Sequence, residues 1–180
     1  VKLLVLGATG ATGRLVVDQA LVAGHTVREL VHSPQKLDAR PGLDVVAGQA
    51  TDFGDVTQAM SGVGAVIGTL RAVGGTVITR FVELSSFAVL RERLSAPAML
   101  MPRVKGKAAA EDALRASDLD YTLVHAVRLT NGPAAGVTKL LPESATLRMG
   151  DTVSRADVAA WMLTALTDTT TSRRSVVIAG

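Results

Sequence analysis

Three glycines recur at every third position in Gly7-Ala8-Thr9-Gly10-Ala11-Thr12-Gly13, directly after the apolar run Val1–Leu6 and before a stretch with helical spacing. That strand–turn–helix context gives the pattern its meaning. Gly7 takes the backbone angles of a sharp turn. Gly10, lacking a Cβ, lets a phosphate approach the main chain, and Gly13 lets helix and strand pack closely. The unpaired N–H groups of a first helical turn, aided by the helix dipole, then face a dianion. Thr9 and Thr12 add hydroxyl donors. The chemistry implied is capture of a dinucleotide pyrophosphate.

An acidic residue about 20 positions beyond such glycines, at the tip of the second strand, would bind an adenosine ribose and favour NAD. Here the tip reads His32-Ser33 with Lys36 nearby, and Glu29 falls earlier, inside the strand. A 2′-phosphate would instead meet His32, Ser33, Arg14 or Lys36. The expected cofactor is therefore NADP ahead of NAD.

Other reactive groups are few. The chain has no cysteine, which excludes disulfides, zinc thiolates and a cysteine nucleophile. His25, His32 and His125 lack metal-like spacing, so no metal is expected. No base positioned to activate a serine can be read, which argues against hydrolase chemistry. The net charge of +3 is mild, and no basic run with interleaved aromatics suggests a nucleic-acid groove. No apolar run reaches membrane-spanning length, and Val1–Leu6 is too short and lacks the basic lead of a signal peptide. A cytoplasmic protein acting on a small molecule, with no nucleic-acid or membrane partner, is the default expectation.

The 180 residues suit one domain, and apolar residues at 48% with aromatics at only 3% call for a core of Val, Leu, Ala and Ile. The elements that would hold the glycine turn follow from periodicity. Strands are expected at Val1–Leu6, Thr26–Val31, Leu43–Ala47, Ala65–Gly68, Arg80–Leu84, Tyr121–His125 and Ser175–Ile178. Helices are expected at Thr12–Ala23, closed by Gly24, at about Phe53–Met60 behind Asp52, from Pro102 to about Ala116, and after the capping-box-like Ser154-Arg155-Ala156-Asp157 through Leu166. In the first helix, Leu15, Val16, Gln19, Ala20 and Ala23 fall near one face. Alternation of strands and helices predicts an α/β, doubly wound, mainly parallel Rossmann-type sheet in three layers. Arg28 and Glu29 sit unexpectedly inside a strand. Only nine residues, 71–79, join the fourth and fifth strands. A parallel crossover usually takes a dozen or more and contains a helix, so a segment missing from the sequence is expected ahead of a trimmed crossover.

These residues, with Gly24-His25-Thr26-Val27, Leu30-Val31-His32-Ser33-Pro34-Gln35-Lys36-Leu37, Phe81-Val82-Glu83-Leu84-Ser85-Ser86 and Ser154-Arg155-Ala156-Asp157-Val158-Ala159, resemble the atypical short-chain dehydrogenase/reductase group. Within it the chain is similar to the NmrA-like NAD(P)-binding proteins and to the flavin reductase/biliverdin-IXβ reductase branch, over nearly its whole length. The resemblance implies that His32 stands where relatives commonly place an arginine for the 2′-phosphate. It puts Gln49 and Ala50 at the adenine, Gly68, Thr69 and Leu70 along the riboses, and Ser85 and Ser86 beside the nicotinamide. His125, Ala126 and Val127 follow the sixth strand, where relatives often carry Arg-Pro-Gly. The superfamily's Tyr-x-x-x-Lys pair, in which lysine tunes a tyrosine acid, is matched by Arg103-Val104-Lys105-Gly106-Lys107. Lysine is present and tyrosine is not. Lys107 is expected at a ribose hydroxyl, and Ser85 and Lys107 are the candidate catalytic groups.

Such a site suits reduction of a flat conjugated acceptor, a flavin or quinone, whose product takes its proton from water. Residues from about 87 onward would supply the substrate side, with the apolar segment Phe87–Met101, carrying Leu90, Leu94, Met99, Leu100 and Met101, closing the pocket. The alternative is a non-catalytic NAD(P)-binding redox sensor of the NmrA-like kind. An isomerase or epimerase fits less well, because those relatives usually keep the tyrosine.

Overall fold

The computed structural model describes residues 1–36, 40–69, 80–93, 102–146 and 150–180. In chain order these form β1 (Lys2–Leu6), α1 (Ala11–Val22), β2 (Thr26–Val31), β3 (Leu43–Ala47), α2 (Phe53–Met60), β4 (Ala65–Gly68), β5 (Phe81–Ser86) and α3 (Phe87–Arg93). They continue with α4 (Pro102–Ala116), β6 (Tyr121–Ala126), β7 (Arg128–Thr130), β8 (Lys139–Leu141), β9 (Thr152–Ser154), α5 (Arg155–Ala165) and β10 (Arg174–Ala179). The main sheet has eight strands in the order β3-β2-β1-β4-β5-β6-β10-β8. All neighbours are parallel except β8, which pairs antiparallel with β10.

Alternation along each strand splits the core into two faces. Leu3, Val5, Val27, Ile67, Val82, Val124 and Val177 meet α1 and α5 through Val16, Ala20, Val158 and Met162. Leu4, Leu6, Leu30, Val66, Phe81 and Leu123 face the other way, where Val56, Ala59 and Met60 of α2 and Leu114 of α4 cover them. The result is the doubly wound three-layer fold that the strand–helix alternation predicts. The buried stripe of α1 is Thr12, Gly13, Val16, Val17 and Ala20. It is turned from the expected one: Ala23 is exposed and Leu15 only half-buried, because Gly13 is drawn against the turn.

The two unexplained strand charges have separate roles. Arg28 pairs with Asp44 of β3 at 2.8 Å and donates to the carbonyls of Ala59 and Ser61 at 3.0 and 2.9 Å. It thereby satisfies the open C-terminal end of α2. Glu29 is buried, and its Oε2 has no hydrogen-bond partner. Burial raises its carboxyl above the ordinary glutamate value, helped by Asp18 and opposed by Arg40 and Arg14. A folded-state value raised in this way gives stability that is complete below the unfolded value and lost as pH rises through the folded one. Glu29→Gln is therefore expected to raise the melting temperature at pH 8 and to lose that advantage below pH ~4. Thermal melts across pH check this; a variant less stable than wild type at pH 8 contradicts it.

Three short strands and one helix are absent from the periodicity reading. β7 pairs in parallel with β9, Arg128 opposite Thr152 and Thr130 opposite Ser154. α3 follows β5 directly and buries Val89 and Leu90, so the start of the expected closing segment is helix packed on the core. Leu94, Met99, Leu100 and Met101 lie outside the described residues, as do Leu70 and the short 71–79 connection. At α5, Ser154 accepts from the Asp157 N–H at 3.0 Å, and the Asp157 carboxylate accepts from the Ser154 hydroxyl at 2.7 Å. The same carboxylate accepts the N–H groups of Ala135 and Gly136 at 3.0 and 2.9 Å, holding the loop after β7. Among the described residues, no helix is long and apolar enough to cross a membrane.

Candidate functional site

The strand order reverses between β1 and β4, and an open α/β sheet presents its crevice at such a switch. β1 ends at Leu6, and the chain turns at Gly7 with φ +85°, a conformation that side chains rarely adopt. The Gly10 N–H donates to the Gly7 carbonyl at 2.9 Å. Gly10 is the extended N-cap of α1 and brings no side-chain cap. The first bond of the helix runs from Arg14 N–H to Gly10 O at 3.0 Å. The N–H groups of Ala11, Thr12 and Gly13 precede it and have no helical acceptor. A Cβ on Gly13 would lie 2.8 Å from Gly7 C and 2.9 Å from Ala8 Cα, inside contact distance of rigid backbone. Thr69, just beyond β4, braces the turn: its hydroxyl reaches the carbonyls of Leu6 at 2.9 Å and Gly7 at 3.2 Å.

From this turn a cleft of about 630 Å³ runs across the sheet's C-terminal edge. It brings together ten of the residues singled out by sequence: Gly10, Ala11, Thr12, Gly13, Thr69, Ser85, Ser86, Lys107, Ala126 and Val127. Gly7 shapes the turn behind it, and Thr9 is exposed at the tip. His32 is exposed and Ser33 half-buried just past β2. Gln49 is exposed, with its N–H given to Asp55 at 2.8 Å, and Ala50 packs on the α2 side of the core. Gly68 makes room for a side chain: a Cβ there would stand 3.0 Å from Glu83 Cδ. Leu70 is outside the described residues. The cleft also takes in Phe87 and Ala88, the start of the segment expected to close it, and Leu84, Arg128, Leu129 and Arg155, which the sequence did not single out as site residues. Arg155 is steadied by Asn131 at 2.6 Å.

His125 departs from its expected place. It does not line the cleft; it is 0% exposed, under the sheet on the α4 side. Alternation explains the position. Glu83 and Ser85 of β5 and Leu123 and His125 of β6 point the same way, and Ser85 lies in register with His125. Glu111 of α4, also 0% exposed, spans both. Its Oε1 accepts the Ser85 hydroxyl and sits 2.8 Å from His125 Nε2. Arg115 approaches Glu111 Oε2 at 3.7 Å. The Lys107 ammonium donates to the Leu84 carbonyl at 2.6 Å, so it is anchored to β5 while lining the cleft. Burial holds the Glu83 carboxyl well above the usual glutamate range, with Lys107 opposing and Glu111 adding to the rise.

Residues 7–169 match the model of a family described as NAD(P)H-binding. The chain belongs to this NAD(P)H-binding family. Its glycine turn fits that assignment, since bare N–H groups converge where a Cβ at Gly13 is sterically excluded. A 3-beta-hydroxysteroid dehydrogenase of Mycolicibacterium neoaurum is 33% identical over 91 residues, 49% of this chain and 25% of that protein, so the match spans about a quarter of that relative's length. Among solved structures, the anaerobilin reductase ChuY of Escherichia coli superposes with a TM-score of 0.82 at 24% identity, over 99% of this chain and 96% of the other. A Streptococcus pneumoniae protein described as a candidate NADH-flavin reductase gives a TM-score of 0.74 at 22% identity, over 99% and 98%. At these identities the structural likeness speaks for the fold. Family and fold together make the chain an NAD(P)H-binding protein with a Rossmann-type fold.

Proposed function

We propose that the chain is an NADPH-dependent reductase of a flat conjugated acceptor of the flavin or quinone type. The observation that carries this reading is the extent of the cleft. It continues past the glycine turn and Ser85 to a wall of Phe87, Ala88, Val127 and Leu129, and in this reading the flat acceptor takes the space along that wall. That space also favours turnover over a purely sensing role. The names of the two solved neighbours, an anaerobilin reductase and a candidate NADH-flavin reductase, point the same way.

In this reading the N–H groups of Ala11, Thr12 and Gly13 hold the pyrophosphate, and Thr69 keeps their turn rigid. Exposed His32 and Arg14, with Ser33, offer donors to a 2′-phosphate, while β2 ends at Val31 without an acidic residue at its tip. Ala126 and Val127 form one wall of the nicotinamide position and Ser85 and Ser86 its edge. Lys107 reaches the ribose side. Bound NADPH supplies the hydride. The protein contributes orientation, a largely apolar wall and water exclusion.

The test is turnover of FMN, riboflavin and a water-soluble quinone by purified protein with NADPH and with NADH. Reduction well above the protein-free rate, with the lower KM for NADPH, is expected. No reduction of any acceptor, despite measurable NADPH binding, overturns the reading.

A further inference from the structure

The chain's one tyrosine, Tyr121, starts β6 and is buried among the residues under α4, at the far end of the strand from Ala126 and the cleft. A short-chain reductase without a tyrosine acid has to find its proton elsewhere. Directly below the cleft lies a group of ionisable side chains, buried at Glu83, Glu111 and His125 and half-buried at Lys107 and Arg115. Glu83 faces this space from β5, Lys107, Glu111 and Arg115 from α4, and His125 from β6. Burying such a set costs several kcal/mol per charge unless the groups are paired. Ser85 is the member that joins this buried group to the cleft by a continuous hydrogen-bond path. Ser85 lines the cleft, its hydroxyl meets Glu111 Oε1, and Glu111 Oε1 meets His125 Nε2.

We infer that Glu111, held by His125, is a buried proton store that acts through Ser85, so that the serine hydroxyl delivers the proton a tyrosine would otherwise give. The inference rests on the reductase reading above. Hydride adds to the acceptor, and the electron pair it displaces collects on a ring nitrogen or oxygen. When Glu111 is protonated the hydrogen bond it shares with Ser85 reverses, the carboxylic acid donating to Ser85 Oγ; the Ser85 O–H bond then breaks towards that acceptor atom, and Ser85 Oγ takes the Glu111 proton. Glu111 is left as a carboxylate, stabilised by the His125 Nε2–H and the Arg115 guanidinium. Water restores its proton between turnovers. A serine alone is a poor acid at neutral pH; a serine relaying a carboxyl proton is not limited in that way. Ser85 is the catalytic residue here, and Glu111 and His125 are positioning residues behind it.

The geometry makes a definite kinetic forecast. Glu111→Gln keeps the side chain's size and its hydrogen bonds but cannot carry the proton. It is expected to lower kcat about 10- to 100-fold, with KM for acceptor and NADPH affinity by fluorescence titration changed less than twofold. The alkaline limb of the wild-type pH–rate profile should vanish in the variant. Ser85→Ala should cost a similar factor, and the double variant no more than either single one, because both act in one unit. In protein without substrate, the 15N resonances of the His125 ring should shift in Ser85→Ala as well as in Glu111→Gln.

If Glu111→Gln does not fold, His125→Gln is read in the same way. The wild-type solvent isotope effect needs no variant: a value near unity on kcat for a proton-consuming acceptor overturns the inference. So does full kcat in Glu111→Gln, or losses that multiply in the double variant. In each of those cases wild type still turns over and the reductase reading stands. Absence of turnover by wild type with every acceptor overturns that reading itself, and the inference with it.

Discussion

Gly13→Ala should abolish measurable NADPH binding and cost about 3 kcal/mol of stability. The added methyl meets Gly7 C at 2.8 Å and Ala8 Cα at 2.9 Å, both backbone atoms of the turn that β1 and Thr69 hold in place. Alanine gains about 1 kcal/mol over glycine in a helix interior, which opposes the clash but does not match it. Relief requires α1 to move off the sheet, and that carries Val16 and Ala20 out of the core. Gly10→Ala is the instructive companion. Its Cβ would meet the Gly7 carbonyl at 3.2 Å, which a shift of a few tenths of an ångström accommodates. This variant should melt close to wild type yet bind NADPH poorly, since the methyl occupies the phosphate's approach. Urea unfolding with NADPH titration separates the two. A Gly13→Ala protein that unfolds at the wild-type midpoint would refute the packing argument.

The second large effect lies at the opposite edge of the sheet. Arg80 is only 7% exposed. Its guanidinium donates to the Ala165 carbonyl at 2.6 Å, to Thr122 at 2.6 Å, to Thr171 at 2.8 Å and to Asp120 at 3.1 Å. One side chain thus ties the entry of β5 to the end of α5, to β6 and to the turn before β10. Arg80→Ala leaves a cavity and several buried acceptors unmet, and should cost about 3 to 5 kcal/mol. Removing one partner in this way is far worse than never having had the pair. The NADPH affinity of the folded fraction should stay at the wild-type value, because β5 carries its cleft residues at the other end. A loss below 1 kcal/mol in equilibrium urea unfolding would show that the network is solvated and of little weight.

Legibility in the sequence followed the range of the physics. The glycine turn was readable because strand, turn and helix are contiguous and each glycine has its own steric reason. The sheet's parallel character followed from short Val- and Leu-rich runs alternating with amphipathic stretches. Arg28 and Glu29 resisted, since the partners of Arg28 come from β3 and the end of α2, and the charges that act on Glu29 come from α1 and Arg40, which periodicity does not bring together. The group under the cleft was hidden for the same reason. Lys107 and Glu111 are visibly one helical turn apart, but only the β5–β6 register places Ser85 beside His125. His125 was therefore read as a cofactor neighbour by its place at the strand end, whereas alternation turns its ring inward. The pairing of β7 with β9 joins three-residue strands, too short for a period to show. Arg128, Leu129 and Arg155 were missed from the cleft with it.

The carboxylate of Asp157 has a further implication. It caps a core helix and also holds the stretch around Ala135 and Gly136 by two main-chain N–H groups. The loop between β7 and β8 is thus fastened at this carboxylate, beside the Asn131–Arg155 contact, away from the glycine turn. An exchanged loop is seated by two such N–H groups at the right spacing together with an acceptor for Arg155. This loop can therefore be exchanged by grafting, with the nucleotide cradle untouched.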